Sequence, residues 1–250
     1  MENVHEQLLQ LLTVFDRVCQ EHDVRYTLHG GTLLGAVREK GFIPWDDDVD
    51  VAMTRQEFEK LQLFLQGDSQ YYIVGNIKKQ FRKKGDNSVW VDIFVCDFIS
   101  QKALPRKLKL LTLTMLDVMN RDKTSIRLSD FSKYGKAKRI AFKAAYLGGK
   151  LLTAKYKGRL YEKVSRRWWT GNKTTYFRSN DQYSGREKAF PVQWLDRYIY
   201  VPFAETTFCV SACYHELLVS FYGDNYMTPI KDIRNTQVHD LVRTEGDITL

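Results

Sequence analysis

The chain has 250 residues, 44% of them hydrophobic and 27% charged, which suits a globular protein whose core needs neither disulfides nor a structural metal. The acidic, amphipathic start MENVHEQLLQLL lacks the basic region of a signal peptide, and no apolar run approaches the roughly 18 residues of a spanning helix, so a cytoplasmic protein is expected. The net charge of +8 is uneven: 20 Lys/Arg stand against 4 Asp/Glu between Gln101 and Lys173, and the rest of the chain is acidic. A basic block on an acidic body implies an anionic partner, with peripheral contact to an anionic membrane as one reading and a plain solvated face as the other.

Four cysteines (Cys19, Cys96, Cys209, Cys213) sit in apolar contexts without a CxxC pair, which reads as buried thiols. Residues 2–22 carry Leu8, Leu11, Leu12, Phe15 and Val18 at helical spacing. A strand is predicted over 25–28, a helix over 32–39 and a strand over 49–53. A helix over 54–66 follows, opened by the capping box Thr54-x-x-Glu57. Strands are predicted near 71–74, 77–82 and 89–95. Basic helices follow over 104–119 and about 135–168, joined by a polar loop around 129–134. Near the end come a strand at 197–201 and a helix at 211–222 with Gly223 as its cap. The expected organisation is an α+β core of residues 1–100 and 180–250, interrupted by a basic helical insertion over 101–179.

The stretch PWDDDVDVAM is the most informative. On a strand Asp48 and Asp50 share one face, about 6.6 Å apart along the chain, so their carboxylates can converge on a cation. Oxygen-rich sites of this kind favour Mg²⁺, as one or two ions, with Mn²⁺ as a substitute. A solvated acidic turn is the plain alternative. A calcium loop is also conceivable, with Asp46, Asp48, Asp50 and Glu57 at the ligand positions, but Val51 replaces the glycine that such a loop needs. Asp92, inside VWVDIFV, is flanked by apolar residues and needs either a cation or a dense set of donors. It is the expected third metal carboxylate.

Upstream, Gly30-Gly31-Thr32 ends a strand and opens a helix. Paired glycines allow close backbone approach, and a helix start offers N–H groups to an anion. The Thr32 hydroxyl and Arg38 are further candidate phosphate ligands.

HGGTLLGAVREKGFIPWDDDVDVAM resembles the signature of the LicD family of phosphotransferases, related to the fukutin group within the nucleotidyltransferase fold superfamily. VWVDIFVCDF is similar to that family's second motif, with Asp97 as its second aspartate, and FYGDNYMTP followed by His239 is similar to its C-terminal pattern. His29 before the glycines and Cys96 before Asp97 depart from that pattern. The resemblance implies a nucleotidyltransferase-like mixed sheet with flanking helices. It also implies transfer of a phosphorylated alcohol, phosphocholine from CDP-choline being the leading donor, to a sugar hydroxyl of a glycan or lipid-linked glycan, with release of CMP. Asp48, Asp50 and Asp92 would then hold metal, with Asp92 as general base and Asp97 as the alternative. Trp45 would stack on the donor's base or its choline-like cation, or simply pack, and His239 would contact phosphate. Two rivals remain: a nucleotidyltransferase that releases pyrophosphate, and a non-catalytic nucleic-acid- or nucleotide-binding protein. No nucleic-acid motif is present, so nucleic acid is not the expected partner.

Overall fold

The computed structural model describes residues 2–120 and 136–229. The chain divides into two compact units: Met1–Ile73, Gln80–Ile93 and Gln193–Leu250 form the first, and Val74–Lys79 and Phe94–Val192 form the second.

The first unit opens with helix α1 (Glu2–Glu21), followed by strand β1 (Thr27–Leu28), helix α2 (Gly30–Arg38), strand β2 (Asp50–Thr54) and helix α3 (Arg55–Phe64). Strand β3 (Tyr71–Val74) leads to β4 (Lys79–Lys83) and then β5 (Val91–Phe98). The sheet order is β1-β2-β5-β4-β3, with β1 antiparallel to β2 through Thr27↔Ala52 and Leu28↔Val51. The apolar stripe of α1 is buried through Leu8, Leu11, Leu12 and Phe15. Phe15 meets Tyr26 and Phe81 edge-on, at ring distances of 5.2 and 5.3 Å. Asp16 is buried beside them and accepts from Tyr26 Oη and Gln20 Nε2, each at 2.6 Å.

Thr54 caps α3 by accepting from the Glu57 N–H at 3.3 Å, as its spacing predicts. The reciprocal half of the capping box is absent. Glu57 instead accepts from the backbone N–H and Nε of Arg25, both at 3.1 Å, because its buried carboxylate finds a cation there.

In the second unit, helices α4 (Ala103–Asn120), α5 (Lys136–Gly149) and α6 (Ala154–Arg167) precede strand β6 (Thr175–Arg178), the short helix α7 (Tyr183–Arg186) and strand β7 (Phe190–Pro191). The later residues of β5 pair antiparallel with β6 through Cys96↔Arg178, Asp97↔Phe177 and Phe98↔Tyr176. The core holds Leu110, Leu113, Tyr161, Val164 and Phe177. Lys109 is buried within it, and its ammonium donates to the carbonyls of Phe98 and Ser165, both at 2.7 Å. The single helix expected over about 135–168 is two. Gly148-Gly149 ends the first, and Thr153 caps the second by accepting from the Tyr156 N–H.

Returning to the first unit, strands β8 (Tyr198–Phe203) and β9 (Thr206–Ser211) form an antiparallel hairpin, followed by helix α8 (Tyr214–Tyr222). Gly223 takes φ +84° at its end, as a capping glycine does. Among the described residues, no helix is long and apolar enough to cross a membrane. The arrangement is α+β and is compatible with a nucleotidyltransferase fold.

Candidate active site

The acidic segment runs from the turn at Trp45 into β2. Strand structure begins at Asp50, so Asp48 lies in the lead-in rather than on the paired strand, and simple alternation does not define its facing. Val49 and Val51 are fully buried, while Asp46, Asp47, Asp48 and Asp50 are half-buried. The backbone anchors are clear. His29 N–H donates to the Asp50 carbonyl at 2.9 Å, the Asp50 N–H donates to Thr32 Oγ1 at 2.9 Å, and the Asp92 N–H donates to the Val49 carbonyl at 2.8 Å. The expected phosphate donor Thr32 is buried, and its hydroxyl ties α2 to β2.

Gly30 and Gly31 have a structural reason of their own. Gly30 sits at φ +56°, and a β-carbon there would fall 2.5 Å from Asp50 Oδ2. A β-carbon on Gly31 would overlap Asp46 Oδ2. The close backbone approach read from these glycines is thus an approach to two of the chain's own carboxylates, at the positive end of a helix dipole.

Asp46 is the residue that sequence reasoning missed as a site member. Burial, followed by the Asp48 charge and a hydrogen bond with Asp48, pushes its carboxyl up to about 8. Two carboxylates in contact share a proton or a cation. His5 of α1 steadies this segment: its Nε2 lies 2.7 Å from the Asp46 carbonyl oxygen, and its ring stacks on Phe42 at 4.6 Å. The density of the DDD run next to Gly31 was the available signal.

Asp92 is half-buried and held by neutral donors. Gln80 Nε2 donates to Oδ1 at 3.0 Å, and Trp90 Nε1 donates to Oδ2 at 3.2 Å. Arg82 donates to Gln80 Oε1 from Nε at 3.1 Å and from its terminal nitrogen at 2.8 Å, and its guanidinium stacks over the Trp90 ring at 4.4 Å. A closed ring of four side chains therefore fixes the Asp92 carboxylate.

Other expected residues are placed as follows. Arg38 is at the opposite end of α2 from Gly30, about 12 Å along the axis at 1.5 Å per residue. Its guanidinium pairs with Glu39 at 2.7 Å and donates to the Tyr226 carbonyl at 3.3 Å. Trp45 is half-buried in the turn before Asp46. Asp97 belongs to the second unit and is buried, five positions beyond Asp92 and so on the other face of β5. His239 lies outside the described residues. Among the described residues, no three His, Cys, Asp or Glu side chains stand together at metal-binding spacing. The structure brings Asp46 to Asp48 and sets Asp50 against Gly30. By donor chemistry the acidic segment fits a hard cation, since the side-chain oxygens of residues 46–50 are all carboxylate oxygens.

These features define an α+β protein whose carboxylates gather at the glycine-started end of a helix. Residues 23–146 match the family described as "LicD/FKTN/FKRP, nucleotidyltransferase domain", and the chain is similar to the LicD family over that stretch. It is 28% identical over 250 aligned positions to the lipopolysaccharide cholinephosphotransferase LicD of Haemophilus influenzae, covering 88% of this chain and 89% of that protein. Shorter stretches are 38% identical to uncharacterized proteins of Rickettsia prowazekii (58 residues, 23% of this chain and 22% of that protein) and Rickettsia typhi (50 residues, 20% and 16%).

Proposed function

We propose that the protein transfers phosphocholine from CDP-choline to a sugar hydroxyl of a cell-surface glycan or its lipid-linked precursor, releasing CMP. The observation that carries this reading is the pair of touching carboxylates, Asp46 and Asp48, beside the Gly30-Gly31 turn and Asp50. The similarity to the lipopolysaccharide cholinephosphotransferase of Haemophilus influenzae supports the transferred group and the glycan acceptor. Asp48, Asp50 and Asp92, joined by Asp46, would hold Mg²⁺, or Mn²⁺ in its place, which when bound supplies neutralisation of phosphate charge.

The chain's own residues bind, orient and move a proton. N–H groups at Gly31 and Thr32 begin α2 and offer donors to the donor phosphates. The acceptor oxygen forms a bond to the choline-bearing phosphorus, the bond from that phosphorus to CMP breaks, and the acceptor proton passes to a carboxylate base. Asp92 is the favoured base because Gln80 and Trp90 hold it in one orientation. Trp45 is assigned to stacking on the base or the choline cation, and His239 to the donor phosphates.

The deciding experiment is a panel of CDP-choline, CDP-ribitol, CDP-glycerol and CDP-ethanolamine with Mg²⁺, scored for CMP. Release of pyrophosphate from a nucleoside triphosphate instead would assign the chain to nucleotidyl transfer.

A cytoplasmic position against the inner face of the membrane accompanies this reading. Exposed Ile140 and Leu147 lie on α5 with Lys143, and Leu151 and Lys150 follow directly after it, a mixture that suits an anionic lipid surface. Sedimentation with liposomes that shows no dependence on anionic lipid would overturn it.

A further inference from the structure

The second unit carries a groove of about 510 Å³ that the transfer reaction does not use. One wall is Asn76 and Lys79; the other is a face of α6. Lys155, Arg159 and Lys163 follow one another at four-residue spacing on that face, and Arg166 and Arg167 extend it. All five are exposed. Like charges four residues apart on a helix each cost about 0.2–0.5 kcal/mol, so this face carries repulsions that the isolated fold does not need.

The groove holds one carboxylate among these cations. Glu162 pairs with Lys79 at 3.0 Å, and the Lys79 ammonium also donates to the carbonyls of Gly75 at 3.2 Å and Asn76 at 2.8 Å. Lys155, Arg159, Lys163 and Arg167 have no carboxylate partner among the described residues. Gly158 shapes the floor: a β-carbon there would press on Asn76 Oδ1 at 3.1 Å, so its absence lets residues 74–79 seat against the helix. No aromatic side chain lines the groove, which leaves a nucleic-acid base without a stacking platform. Its volume is that of a small-molecule site, and arginine forks match phosphate oxygens two at a time.

We propose that this groove binds a headgroup bearing at least two phosphate groups, held by Lys155, Arg159, Lys163, Arg166 and Arg167. The site stands independently of the transferase reading, because its binding is measured directly, with EDTA present to silence the carboxylate site.

Calorimetric titration of the full chain with inorganic pyrophosphate and with inorganic phosphate, at about 0.1 M salt, tests it. Pyrophosphate is expected to bind at least about tenfold tighter than phosphate, since it engages more of the cations. The double variant Arg159→Glu/Lys163→Glu should lose at least about tenfold in affinity, and Arg159→Gln/Lys163→Gln should weaken binding in the same direction. Lys84→Glu, an exposed lysine of the first unit, should stay within about twofold. Flotation with diacylglycerol pyrophosphate vesicles, against phosphatidic acid vesicles as the one-phosphate background, separates the sources: extra capture lost in the double variant assigns a lipid-borne headgroup, no extra capture assigns a soluble one, and extra capture kept by the double variant overturns the groove. Absence of pyrophosphate binding, an equal loss in Lys84→Glu, or tighter binding of a single-stranded oligonucleotide with the same groove dependence would overturn the proposal.

Discussion

Gly31 lacks a side chain at the point where Asp46 places its carboxylate, and a β-carbon there would overlap Asp46 Oδ2. Gly30 repeats the relationship with Asp50. Two glycines and two aspartates, far apart in sequence, thus fit as complementary surfaces, and the aspartate geometry depends on hydrogen atoms at two α-carbons.

Gly31→Ala should therefore damage activity more than stability. The obstructed atom is the mobile end of a side chain, so Asp46 swings aside at a cost below about 1.5 kcal/mol, while CMP release falls by at least about tenfold. Gly30→Ala adds the penalty of a left-handed backbone, about 1–2 kcal/mol. Thermal melts and initial rates on both variants check the contrast, and equal melting temperatures would contradict it.

The ring Arg82–Gln80–Asp92–Trp90 predicts a positioning effect. Gln80→Leu removes the donor to Asp92 Oδ1 and the acceptor for Arg82. A fall of about tenfold in kcat with KM little changed is expected, because a base held loosely loses alignment before it loses binding. Asp92→Asn should abolish turnover. Near-wild-type rates in Asp92→Asn would refute the assignment of the base.

Cation binding is open to a test without catalysis. At about 100 times its dissociation constant, Mg²⁺ should add about 2.7 kcal/mol of stability. Asp48→Asn should remove most of that gain. A melting temperature that Mg²⁺ leaves unmoved in the wild type would count against the metal site.

Asp16 supplies a pH dependence. Burial raises its carboxyl above the ordinary value, and hydrogen bonds from Tyr26 and Gln20 offset part of the rise. A carboxyl raised in the folded state holds its proton longer there than in the unfolded chain. Its contribution is therefore fully present below the unfolded value of about 3.9 and is lost as pH rises through the folded one. Urea unfolding at pH 4 and pH 7 should show a larger decline for the wild type than for Asp16→Asn; the opposite ordering would be evidence against it.

Local signals were legible in the sequence where they were self-contained. Thr54 as a helix cap, the stripe of α1 and Gly223 as a terminator depend on neighbours within a few positions, and all three are present. Long-range pairing was not legible. Glu57 completes a capping box by spacing, yet Arg25 claims it from 32 positions away. Strand β6 is four residues long, and its pairing with β5 defines it more than its own composition does. Asp46 read only as a position in a calcium loop, because its contact with Asp48 and its fit to Gly31 appear once α2 and the loop are folded together. The family match reaches residue 146, into the basic segment, where none of the quoted motifs lies.

The contact of His5 with the Asp46 carbonyl has a practical consequence. The acidic segment is steadied by the first turns of the chain, so an amino-terminal tag that frays those turns would lower activity while leaving every carboxylate in place. Preparations differing only in where such a tag is attached should differ in rate, and those rates would then measure the integrity of α1 rather than the chemistry of the aspartates.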